Sequence, residues 1–157
     1  MTRQEVNELL SPILVELQEK KKEKGLTFEK IAEAIDRSEL YTAAIFYGQA
    51  KPEEKDLEAL SSVLNIPKDK LVAELGPSFF PLRGGLSSSP PTDPTLYRLH
   101  EAMTVYSMPI KEIINEKFGD GIMSAIDFRG AVERVEDPAG ARVKITFDGK
   151  FLPFRRW

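Results

Sequence analysis

The chain has no cysteine and a single histidine, His100. The first absence excludes disulfides, thiolate nucleophiles and cysteine-held metals; the second excludes a metal site built from several imidazoles. A Ser/His/Asp triad would have to use His100, which lies toward the polar flank of its helix. Also missing is any apolar run of about eighteen residues, the length a spanning helix needs. The opening "MTRQEVNELLSPILVELQEKKKEKG" is amphipathic and lacks the apolar stretch and cleavage site of a signal peptide, so the expected setting is the cytoplasm. Positive charge is not in excess either. Residues 1 to 80 carry 11 Lys and Arg against 15 Asp and Glu, and residues 81 to 157 carry 11 against 10. Neither half has the charge expected of a polyanion binder, so nucleic acid is not an expected partner.

What is present in the first 75 residues is helical periodicity. Val6, Leu9, Leu10, Ile13, Leu14 and Leu17 recur at three- and four-residue steps, ahead of a basic end that suits the negative pole of a helix. Ser11 followed by Pro12 fits an internal restart, which leaves one bent helix and two helices as equal readings. "LTFEKIAEAI" then starts after Thr27 as cap, "SELYTAAIFYG" starts at Ser38, "KPEEKDLEALSSVLNIP" opens on Pro52, and "KDKLVAELG" stops at Gly76. This order resembles the helix-turn-helix bundle of the lambda-repressor type. DNA reading would require Arg, Lys, Asn or Gln on the second helix of the pair. "SELYTAAIFYGQ" instead presents Glu39, Tyr41, Ile45, Phe46 and Tyr47, a surface suited to packing on protein.

"GPSFFPLRGGLSSSPPTDP" (76 to 94) ends helices and marks a domain boundary, giving a helical bundle over 1–80 and a second domain over 81–157. Phe79, Phe80 and Leu82 predict that its first half is packed down. Beyond it Asp93 caps a helix with Pro94 in its first turn, running to about Ser107, and "PIKEIINEKFG" makes another, stopped at Gly119. Three strands follow, "GIMSAIDFRGAVERVE", "ARVKITFDG" and "KFLPFRRW", with "DPAG" and "DG" as turns. Three strands are too few to bury a sheet of this size, so strands from another chain are expected to complete it. The fold class is α+β.

In "TLYRLHEAMTVY", Leu96, Leu99, Met103 and Tyr106 form an apolar stripe, while Arg98 and Glu101 sit together off it. By themselves they are an ordinary solvated pair. With "PTDPTLYRLHEAMTVY", "EKFGDGIMSAIDF" and "DGKFLPF" taken together, however, the chain resembles the cyanase (cyanate hydratase, cyanate lyase) family. The likeness covers the C-terminal half nearly without a gap, and the helical bundle and the "PLRGG" turn agree with the family's layout. Ser107, in place of a common glycine, and the basic pair before Trp157 depart from the usual pattern without touching a site position.

The resemblance implies three catalytic residues, Arg98, Glu101 and Ser124, and a lyase that decomposes cyanate with bicarbonate as co-substrate. Bicarbonate attacks the cyanate carbon, the adduct loses carbon dioxide, and the resulting carbamate falls to ammonia and more carbon dioxide. It implies no metal or organic cofactor, and a homodecamer of five dimers, with C-terminal strands intertwined at a dimer interface and active sites where subunits meet. The residue types suit such chemistry. Arg98 supplies a permanent, planar cation for two small anions. Ser124 offers a hydroxyl, with nearby backbone N–H groups, to the second anion or the adduct. Glu101 either orients Arg98 through a charge-assisted bond or, held protonated, donates to the adduct. His100 is expected to face solvent or an interface, Tyr97 and Tyr106 to pack, Asp120 to form a turn, and Ile122 and Phe128 to line the sheet core. The competing reading is a helix-turn-helix DNA-binding regulator with a dimerising C-terminal domain.

Overall fold

The computed structural model describes residues 3–81, 84, 86 and 89–157. It divides into two compact units, Met1–Ser87 and Ser88–Trp157.

Among the described residues the first unit is a bundle of six helices: α1 (Arg3–Leu9), α2 (Pro12–Glu23), α3 (Phe28–Ile35), α4 (Glu39–Phe46), α5 (Glu54–Leu64) and α6 (Lys68–Leu75). Ser11 and Pro12 do mark a restart: Ser11 takes an extended conformation at the N-cap of α2, with Pro12 in the first turn. Thr27 Oγ1 accepts from Lys30 N at 3.2 Å and Ser38 Oγ from Tyr41 N at 3.3 Å, so both hydroxyls satisfy amides that a helix start leaves unpaired. Leu17, Ile31, Ile45, Phe46, Leu57, Leu60, Leu64, Leu71 and Leu75 fill the core, with Phe28 set edge-on to Phe46 at 5.2 Å. Leu9 faces outward, unlike Leu10, Ile13 and Leu14. Gly48 closes α4 at φ +67°, where a β-carbon would also strike Leu14.

One buried ion pair ties the end of α3 to the start of α5. Arg37 Nε donates to Asp56 Oδ1 at 2.8 Å and Arg37 Nη2 to Glu53 Oε2 at 2.6 Å, while Asp56 Oδ2 also accepts from Glu53 N at 2.8 Å. Asp56 is fully buried, and every side it presents meets a donor, which is the condition for a buried charge to be tolerated.

The surface of α4 differs from its sequence reading. Ile45 and Phe46 are core residues rather than presented ones. The outward positions of α4 are left to Glu39 and Leu40, with Tyr41 half-buried and its hydroxyl donating to Lys51 O at 2.7 Å. In the connection, Phe79 packs on the bundle core as expected, whereas Phe80 is exposed. Leu82 and most of "PLRGG" lie outside the described residues.

The second unit consists of α7 (Pro94–Phe118), β1 (Gly121–Val135) and β2 (Arg142–Pro153). Asp93 caps α7, its Oδ1 accepting from Thr95 N at 2.9 Å and Leu96 N at 3.0 Å. The two helices expected on either side of Ser107 are one helix of 25 residues with Pro109 inside it. A proline in a helix interior removes one backbone donor and crowds the preceding turn, yet leaves the turns on both sides free to form. Gly119 ends the helix at φ +89°, its N–H donating to Asn115 O at 2.9 Å.

Among the described residues the strands also number two, not three. Asp148 and Gly149, expected to turn, lie within β2. The turn that exists is at "DPAG", where Gly140 N donates to Asp137 O at 2.9 Å and Ala139 N to Asp137 Oδ1 at 2.9 Å. The antiparallel register runs from Gly121 opposite Pro153 to Val135 opposite Arg142, interrupted between Met123 and Phe128. There Ser124 to Asp127 stand opposite Lys150 alone, a bulge larger than the common single-residue kind.

Candidate active site

Arg98 and Glu101 project from the first half of α7. Arg98 Nη1 donates to Glu101 Oε2 at 2.6 Å, and the guanidinium carbon stands 5.8 Å from the centre of the Tyr97 ring. The hydrogen bond to Glu101 is the main reason the Arg98 pKa is raised above its ordinary value, so the cation is permanent at any working pH. Within the chain Arg98 is 73% and Glu101 46% exposed, which by itself would give a pair worth little. Arg98 borders an open cleft of about 470 Å³, lined also by Pro90, Pro91, Thr92, Pro94 and Tyr97. A rim made of prolines cannot donate backbone hydrogen bonds, so Arg98 is the strong donor facing that space. The contact between Glu101 and Arg98 is the one an orienting role for Glu101 would use.

Ser124 is the one residue of the second unit that is buried among the described residues, at 5% exposure. It opens the β1 bulge, and its Oγ accepts from Ile126 N at 3.0 Å and Asp127 N at 2.9 Å. These are two of the nearby backbone N–H groups expected to serve an anion, and the serine's own oxygen occupies them. A hydroxyl that accepts twice has its lone pairs committed and its proton still to give. Ser124 is therefore arranged as a donor, and an attack by its oxygen would require both bonds to break. Among the described residues no hydrogen bond joins Ser124 to Arg98, Glu101 or His100.

The remaining candidates fall into simpler places. His100 is exposed, as are Tyr97 and Tyr106 at 44% and 58%. Asp120 sits in a bend and its carbonyl accepts from Phe154 N at 3.1 Å. Phe128 packs against Phe147 at 5.5 Å, but Ile122 is half exposed rather than in a sheet core. Sequence reasoning missed Gly149. Its signal, a glycine after an aspartate between two aromatic residues, points equally to a turn. The structure instead sets it against the Ser124 bulge, where a β-carbon would overlap the Ser124 carbonyl oxygen.

Comparison with known proteins bears directly on this arrangement. The family profile described as the cyanate lyase C-terminal domain matches residues 88–156, a span that includes Arg98, Glu101 and Ser124. A cyanate hydratase of Mycosarcoma maydis is 52% identical over 156 residues, covering 99% of this chain and 96% of that protein. One from Synechococcus sp. is 46% identical over 147 residues, covering 94% and 96%. The crystal structure of a cyanase from T. urticae superimposes with a TM-score of 0.77 at 31% identity, covering 90% of this chain and 96% of that one. Similarity of this extent reaches both the helical bundle and the C-terminal unit, and on that ground the chain belongs to the cyanate lyase family.

Proposed function

We propose that the protein is a cyanate hydratase, a carbon–nitrogen lyase that decomposes cyanate with bicarbonate as co-substrate, and that Arg98, Glu101 and Ser124 carry the reaction. The observation that carries this reading is near-full-length similarity to cyanate hydratases, with all three residues inside the matched segment. The chemistry has one main obstacle. Two small anions about 4 Å apart repel by roughly 4 kcal/mol at an effective dielectric near 20. Arg98 offsets this with a fixed positive fork, able to hold carboxylate-like oxygens in two places. Glu101 accepts from that fork and aims it. The Ser124 hydroxyl donates its proton to the second anion or to the dianionic adduct formed when bicarbonate attacks the cyanate carbon. The adduct then releases carbon dioxide, and the carbamate left behind takes up protons and falls to ammonia and a second carbon dioxide. No metal or organic cofactor enters this scheme.

Assembly is part of the proposal. The stripe Leu96, Leu99, Met103, Tyr106, Ile110 and Ile113 along α7 lies exposed in the single chain, as do Val143, Ile145 and Phe147 on the sheet. A two-stranded sheet with so much open apolar surface is marginal in water. Other copies of the chain would cover it, on the decameric pattern of five dimers, and would enclose Arg98 between subunits. A coupled ammonia assay tests the function. Ammonia should appear from cyanate only when bicarbonate is supplied; release without it, or none with it, contradicts the proposal. A DNA-binding regulator finds no support in the cation-poor surface of α4.

A further inference from the structure

We propose that Gly149 is a positioning residue for Ser124: its missing side chain is the notch that lets the β1 bulge fold down and hold the serine hydroxyl as a pure donor. The inference rests on the reading of Ser124 as a site residue and goes beyond it by naming what holds that residue in place.

Three observations meet here. Ser124 to Asp127 stand opposite Lys150 alone, so the bulge must close on itself without ladder partners from β2. It does so through the Ser124 Oγ, which takes the Ile126 and Asp127 amides at 3.0 and 2.9 Å. And a β-carbon placed on Gly149 would overlap the Ser124 carbonyl oxygen and come within 2.6 Å of Met123 Cγ. The Met123 side chain can swing away. The Ser124 carbonyl belongs to the backbone and moves only if the bulge moves with it.

The glycine is required for space and not for conformation. Gly149 is absent from the positive-φ glycines, so its backbone lies where other residues are comfortable. Alanine there meets one obstacle, the peptide that carries Ser124. Pushing that peptide outward pulls the Oγ away from its two amides and redirects the proton that the mechanism uses.

The test is a double-mutant cycle on the assembled enzyme, with oligomer size checked by sedimentation. Gly149→Ala should lower kcat by on the order of 10²-fold, the usual consequence of a displacement near 1 Å in a reacting geometry, with a smaller change in KM. Ser124→Ala should lower kcat by on the order of 10²-fold as a lost donor. If Gly149 acts through the serine hydroxyl, the double variant is no slower than Ser124→Ala alone; losses that multiply overturn the proposal. Wild-type turnover in Ser124→Ala would overturn the underlying assignment instead, and the two failures are thereby distinguished. Should Gly149→Ala fail to assemble, amide exchange decides. The Ile126 and Asp127 amides should exchange about tenfold faster in the Gly149→Ala chain than in a Met103→Asp chain, made to be likewise unassembled, and equal rates overturn the proposal.

Discussion

The two units bury themselves in opposite ways. In the helical unit every buried side chain among the described residues is apolar except Gln18, Thr42 and Asp56, and the buried hydrophobics run from Leu10 to Leu75. In the C-terminal unit the single buried residue among those described is a serine, and the large apolar side chains are open. The first unit has a core of its own. The second buries one polar side chain among its described residues and leaves its large apolar side chains open. The difference teaches that hydrophobic patterning alone does not locate a core: α7 carries a helical apolar stripe, as the more sharply amphipathic α3 does, yet only that of α3 is covered within its own unit.

The sharpest way to break this contrast is to charge the stripe. Met103→Asp should dismantle the assembly into small species and abolish cyanate decomposition, read by sedimentation velocity and ammonia release. An unchanged particle size would mean that α7 needs no cover. Next in size, Phe46→Ala should cost the helical unit about 3–5 kcal/mol, because Phe46 is completely buried and its neighbours cannot close the space. Thermal unfolding would show the loss, while oligomer size and kcat of the folded fraction stay near normal. Smaller in free energy is Arg98→Lys, expected to keep assembly and lower kcat/KM by at least about 10²-fold, since an ammonium cannot reproduce the two-point fork. Full activity in that variant would return the Arg98–Glu101 pair to the ordinary solvated kind that its exposure suggests.

How much was legible in sequence follows the same division. Thr27 and Ser38 announce α3 and α4 because a hydroxyl bonding an amide three residues on is a local event. Asp93 and Pro94 announce α7 for the same reason. Arg98 with Glu101 is legible as a pair because helical spacing alone brings them together. Pro109, by contrast, reads as a break, because a local rule cannot register how well the flanking turns support each other. Asp148–Gly149 reads as a turn for a comparable reason: the dipeptide permits a tight turn, and pairing across the sheet decides otherwise. The hydroxyl of Ser124 is visible as a letter, but its two commitments depend on a bulge whose size is set by a strand more than twenty residues away.

The Asp93 cap has a last consequence for where charge can be held. The start of a helix is ordinarily a seat for anions, with free amides converging on the ligand. At α7 that seat is taken, because one carboxylate oxygen of the chain already collects the Thr95 and Leu96 amides. On the proposed reading of Arg98, incoming anions are thereby turned away from the helix mouth and left to the guanidinium one turn further along.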